Sequence, residues 1–286
     1  MTDTHDLQTH KPDTLDTARA LAHSAAQFLT RAARANLPAQ PDDSHSNLGW
    51  DRAGRHFLSQ PLPGKEGACF VTLGLFPFRL GFTGGPATTT FLDLDGVSQQ
   101  EAQNWLDGKL AEAGLQVSAP IALPYSLPQD VSAIDRYQTQ SQSGQLAALS
   151  AWFDLANGAL TRFTEERNKL GLEPGPSAVR CWPHHFDIAT YVSLESGDAE
   201  TARGIGVGMS PGDESYGLPY FYVNPWPHLD PVSLPAAPRP GHWHTEGFVG
   251  AIATAEEILT LEDTSTALSA FLEGAFAIGL LKLRNS

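Results

Sequence analysis

The stretch VRCWPHHFDIATYVSL, residues 179–194, decides how the fold is read. In an extended strand successive side chains point to opposite faces. His185, Asp187, Ala189 and Tyr191 then share one side, and Phe186, Ile188, Val192 and Leu194 the other. The second set is the expected core face. Further strand candidates follow at 204–209, 218–224 and 242–253, with turn residues and no helical period between them. Parallel pairing needs a crossover of a dozen or more residues, so these strands are expected to pair antiparallel.

Working outward, helical spacing brackets the strands. Leu146, Leu149, Phe153, Ala156, Leu160 and Phe163 mark a helix before them, and Leu268, Phe271, Leu272, Phe276 and Leu280 one after. The N-terminal part repeats the plan. Leu15, Ala18, Leu21, Ala22, Ala25, Phe28, Leu29 and Ala32 predict a helix that stops near Pro38. Residues 39–54 read as loop, and strand candidates lie at 56–62, 69–79 and 88–94. Ser98 and Glu101 form a capping-box pair that opens a helix ended by Gly114. The expected class is α+β: antiparallel sheets with helices packed on one face, in two helix-strands-helix halves. The halves are 14–119 and 145–286, joined by a Pro/Gln/Ser-rich surface linker at 120–144 and preceded by a disordered start at 1–13. No residue-level repeat establishes duplication.

Composition excludes several functions. Among 286 residues, 18 Lys and Arg face 32 Asp and Glu, for a net charge of −14. A chain so acidic repels polyanions, so neither nucleic acid nor an anionic membrane surface is an expected partner. The start lacks the basic and apolar segments of a secretory leader, and the most apolar run, 275–281, is short against the roughly 20 residues of a membrane span. A cytoplasmic protein is expected. Cys69 and Cys181 read as buried thiols. Oligomeric state is not encoded in any of these features.

The unusual chemistry is concentrated. Five of the ten histidines and three of the six tryptophans lie between Trp182 and His244. Strand alternation puts His242, His244 and Glu246 on one face, opposite Trp243. Three readings compete. In the first, Trp182, Trp226 and Trp243 supply flat apolar walls, while His184, His185, Asp187, Tyr220, Tyr222, His242, His244 and Glu246 supply directional hydrogen bonds to a small polar, sugar-like molecule. In the second, the strands carrying His185 and His242 are neighbours. His185, Asp187 and His242 or His244 then ligate Zn or non-haem Fe, with Glu246 as the base of a metal-dependent enzyme. In the third, the same groups satisfy one another, and the protein is structural or binds a partner. The Gly208-Met-Ser210-Pro-Gly212 string resembles a nucleophile elbow, but Pro211 has no N–H for an oxyanion hole, and a turn is expected there.

Trp50 ahead of a strand, Leu-Pro-Tyr-Ser-Leu-Pro at 123–128, the Phe186-Asp187 pair and Pro-Tyr-Phe-Tyr at 219–222 together resemble a bacterial domain-of-unknown-function family. The resemblance spans most of the chain as scattered short matches. It implies that the two halves form one unit, and it implies no activity. The family pattern carries Phe-Asp without the preceding His184-His185, so no obligatory metal follows from it.

Overall fold

The structure, a computed structural model, describes residues 14–86, 89–118, 121–169, 171, 175–197 and 202–285. The disordered start expected at 1–13 lies outside them. Helix α1 (Asp16–Asn36) runs to just short of Pro38, as the spacing predicts, and is buried along nearly its whole length from Ala18 to Ala33. Strand β1 (Gly49–Asp51) then forms where loop is expected. Trp50 anchors it, edge-on to Phe57 at 4.8 Å. Strands β2 (His56–Leu58), β3 (Leu62–Gly64), β4 (Gly67–Leu75), β5 (Phe78–Thr83) and β6 (Thr90–Asp93) follow, and helix α2 (Gln99–Glu112) opens with the Ser98/Glu101 capping box. Helices α3 (Gln129–Ser132) and α4 (Ser143–Lys169) precede the second set of strands.

The described residues divide into two compact units, one taking in 14–151 together with Cys181–Phe186, the other Trp152–Arg180 and 187–285. The division expected at 144/145 is therefore displaced to 151/152, inside α4. Residues 121–144 do lie largely at the surface, but they are fastened to the N-terminal unit rather than forming a linker. Tyr137 is fully buried, with its ring against Phe28 at 6.5 Å and Phe78 at 5.8 Å. The backbone N–H of Thr139 donates to Asp95 at 2.8 Å, and that bond is the main cause of an Asp95 carboxyl held below its ordinary value. Such anchors cannot be read from Pro and Ser content.

In the N-terminal unit the sheet order is β1-β2-β4-β5-β6, with β3 paired to β4. Strands β7 (Gly175–Pro176), β8 (Arg180–Trp182), β9 (Asp187–Ser193), β10 (Gly204–Ser210), β11 (Tyr220–Trp226), β12 (His242–His244) and β13 (Gly250–Thr254) lead to helices α5 (Ala255–Leu259) and α6 (Thr264–Asn285). The sheet of the C-terminal unit runs β12-β13-β11-β10-β9-β7. Every pairing is antiparallel, and both sheets are chiefly meanders between helices, which makes the class α+β. Each long strand candidate breaks at a turn: 69–79 at Phe76–Pro77, 179–194 at 183–186, and 242–253 at 245–249. Apolar periodicity continues through these turns, so the breaks do not show in it.

Helix α6 covers the face of the second sheet that carries Ile188, Ile205, Val207, Met209, Phe221 and Val223, all at most 1 % exposed. Gly279 permits the close approach. A Cβ there would lie 2.9 Å from Cγ of Pro225 and 3.2 Å from Cδ1 of Ile205. Helix α6 is also long and apolar enough, by length and composition alone, to cross a membrane. Its buried residues include Leu268, Phe271, Leu272, Ala275, Phe276 and Leu283.

Candidate functional site

The opposite face of the second sheet is built on a strand that has almost no side chains there. On β10 that face carries Gly204, Gly206 and Gly208. Register then gives a row across the sheet of Ala189, Gly208, Tyr222, Ile252 and His242. Because Gly208 lacks a Cβ, the Tyr222 ring lies down over β10. A Cβ at 208 would meet the Tyr222 hydroxyl at 2.5 Å. The hydroxyl thereby crosses to β9 and donates to Oδ2 of Asp187.

At the other side of the sheet, His242 and His244 project on this same face and share one phenol. The Tyr216 hydroxyl oxygen lies 3.2 Å from Nε2 of His242 and 3.0 Å from Nδ1 of His244. Tyr216 is held by an Asx turn. Asp213 Oδ1 accepts the N–H of Ser215 at 2.8 Å and that of Tyr216 at 3.1 Å, and Asp213 Oδ2 accepts the Tyr220 hydroxyl at 2.5 Å. Burial foremost, and then the Asp213 bond, push the Tyr220 phenol well above its ordinary value. The far nitrogens are also engaged. His242 Nδ1 lies 3.2 Å from Oε1 of Glu257, and His244 Nε2 lies 2.5 Å from the carbonyl oxygen of Glu246. Glu257 is fixed in turn by the α5 capping box, its Oε2 accepting the Thr254 N–H at 2.8 Å.

These contacts fix a proton count. A carbonyl and a carboxylate only accept, so His244 Nε2 and His242 Nδ1 each carry hydrogen. In the neutral rings His242 Nε2 and His244 Nδ1 are then both acceptors, and between them stands a single phenolic proton. The neutral cluster makes one of its two Tyr216 bonds. Both form only when an imidazole carries one more proton; otherwise one nitrogen is left as an acceptor that a donor from a bound molecule can fill in place of the phenol.

Of the residues singled out by sequence, Asp187, Tyr222, His242 and His244 all lie on this face, Asp187 in contact with Tyr222 and the two histidines at the other side of the sheet, and Trp226 lies on it at the end of β11, 40 % exposed. Three others belong to the N-terminal unit. Trp182, His184 and His185 sit at or in the turn after β8, where His184 packs on Trp182 at 6.2 Å, on His185 at 4.3 Å and on Tyr125 at 5.7 Å. His185 is not on the Asp187 strand, because Phe186 adopts φ +62 and breaks the alternation just before β9 begins. Glu246 is likewise past the end of β12 and contributes its carbonyl. The carboxylate beside His242 is Glu257.

The metal reading required β9 and β12 to be neighbours. Instead β10, β11 and β13 lie between them, which at about 4.8 Å per strand separates them by roughly 19 Å, too far for a shared Zn or Fe. Among the described residues no three His, Cys, Asp or Glu side chains are grouped to hold a metal ion. Ser210 ends a strand and its Oγ accepts the Gly212 N–H at 3.2 Å, as befits a turn rather than an elbow. Sequence reasoning missed Tyr216 and Glu257. The Thr254-x-x-Glu257 capping pattern was the available signal for the second; Tyr216, inside a turn, had none.

No protein-family model, curated protein or solved structure matches the chain.

Proposed function

We propose that the C-terminal unit binds a small polar molecule rich in hydroxyl groups, such as a sugar or polyol, against the Tyr222/Asp187 and Tyr216/His242/His244 face. The observation that carries this reading is the missing donor hydrogen: two imidazole acceptors share one phenol, and a ligand hydroxyl completes the set without an extra charge. Asp187 and Glu257 add carboxylate acceptors, and Trp226 offers an exposed ring of the kind that stacks on the apolar side of a pyranose. With no metal ligands grouped among the described residues, the reading is of recognition rather than of metal-dependent catalysis.

A thermal-shift screen of monosaccharides, inositols and linear polyols tests it, since a ligand that binds only the native state raises the melting temperature. The expected result is a stabilising polyol whose effect disappears in Gly208→Val, which drives Tyr222 off β10, and falls at least tenfold in affinity in His244→Gln. A stabiliser that acts equally on both variants would place binding elsewhere. A screen without any stabiliser would count for the purely structural role.

A further inference from the structure

Away from the sheet face, a cavity of about 310 Å³ lies between α4 and α6, near the lower end of the roughly 300–1,000 Å³ typical of small-molecule sites. Its apolar lining is Ala159, Phe163 and Leu272. Its charged lining is unusual for so acidic a chain: Arg162, Arg167 and Lys169 against Glu166 and Glu273, three cations and two carboxylates for a local charge of +1 where the whole chain carries −14.

Arg167 is the centre of the argument. Only 9 % of it is exposed, and its guanidinium lies between two rings, with Cζ 4.9 Å from the centroid of Phe163 and 4.7 Å from that of Phe276. One amino group is paired with Glu273, but the buried Nε–H has no hydrogen-bond partner among the described residues. Burial depresses the Arg167 guanidinium below its ordinary value, a cost that a further anion would offset. Arg162, on the same helix, is oriented over the cavity by Ser265 and Ser269, donating to Ser265 Oγ at 2.9 Å and Ser269 Oγ at 3.0 Å, while the Ser269 hydroxyl donates to the Ser265 carbonyl oxygen at 2.9 Å.

We propose that this cavity binds a small organic monocarboxylate, its charged end taken by Arg167 and Arg162 and its apolar body resting on Ala159, Phe163 and Leu272. A monoanion balances the local +1. A phosphate dianion would overshoot it, beside Glu166 and Glu273, and has no apolar body to cover Phe163 and Leu272.

Calorimetric titration of the full chain with benzoate, hexanoate, the neutral isostere benzamide and inorganic phosphate tests the proposal. Expected are saturable binding of benzoate or hexanoate, benzamide and phosphate at least tenfold weaker, and a loss of at least tenfold in carboxylate affinity in Arg162→Ala. Arg167→Gln disturbs a buried ion pair and can unfold the chain. The rim variant, with circular dichroism unchanged, is therefore decisive. Equal binding of benzoate and benzamide, tighter binding of phosphate, an Arg162→Ala variant of unaltered affinity, or no saturable heat from either carboxylate each overturns it.

Discussion

The two histidine-bearing turns resemble each other in sequence and differ in what surrounds them. In the turn after β8, Phe186 is fully buried, stacked on His23 at 5.0 Å and tilted against Phe57 at 5.5 Å. His23 Nε2 lies 2.8 Å from the Pro183 carbonyl oxygen, which also accepts from Gln27 at 2.9 Å. Its imidazole is a core group with a neutral proton assignment imposed by burial. Around β12, His242 and His244 are only partly covered, and their proton assignment is left one hydrogen short. Histidines that support packing are thus separated from histidines that stay partly open, although both sets stand in equally aromatic phrases of the sequence.

The sharpest way to break that contrast is at Phe186. Replacing a fully buried aromatic ring by Ala should destabilise the protein by ~3–5 kcal/mol, read as a lower urea midpoint. Phe186 also holds φ +62, a conformation that costs a side-chain-bearing residue roughly 1–2 kcal/mol and glycine little. Phe186→Gly should therefore be less destabilised than Phe186→Ala, the reverse of the usual order. Finding Gly the worse of the two would remove backbone strain from the account.

His23 gives a smaller effect that depends on pH. Burial is the main cause lowering it from 6.5 to about 4, partly opposed by the bond to the Pro183 carbonyl. The unfolded chain therefore takes up a proton on His23 at a higher pH than the folded chain does. The corresponding stability is complete above pH 6.5 and is lost as pH falls toward 4, by ~3 kcal/mol in total. Unfolding curves between pH 7 and 4 should show this slope, and His23→Gln should flatten it. An equal slope in the variant would assign the acid sensitivity to other groups.

The smallest effect is expected beside β12. Tyr216→Phe removes one half-exposed hydroxyl and should cost ~1 kcal/mol or less. Nitrogen chemical shifts of His242 and His244 should nevertheless both change, since the two rings share that single proton. A shift confined to one imidazole would mean that the phenol serves only that ring.

How much of this was legible in the sequence depends on the interaction. The α+β class followed from helical spacing around Leu21 and Leu268 and from the absence of helices between strands, signals that belong to contiguous residues. Placing His242 and His244 on one face needed only alternation along β12. Placing His185 beside Asp187 failed because one residue, Phe186, leaves the extended region under the pull of a core contact with His23, a residue more than a hundred positions away. The distance between Asp187 and His242 failed for a related reason: strand order is set by long-range pairing, and three strands intervene. Glu257 was written in its capping box, yet nothing local says that its second oxygen faces an imidazole.

The run Gly204-Ile-Gly-Val-Gly-Met-Ser210 carries one further consequence. A ribbon that is bare hydrogen on one side gives its neighbours no landmark for alignment there, so a slide of two positions would superimpose glycine upon glycine unopposed. Only the graded bulk of Ile205, Val207 and Met209 beneath α6 resists such sliding. The alignment of the Tyr222 and His242 face is therefore encoded on the opposite side of the sheet, the one that α6 covers.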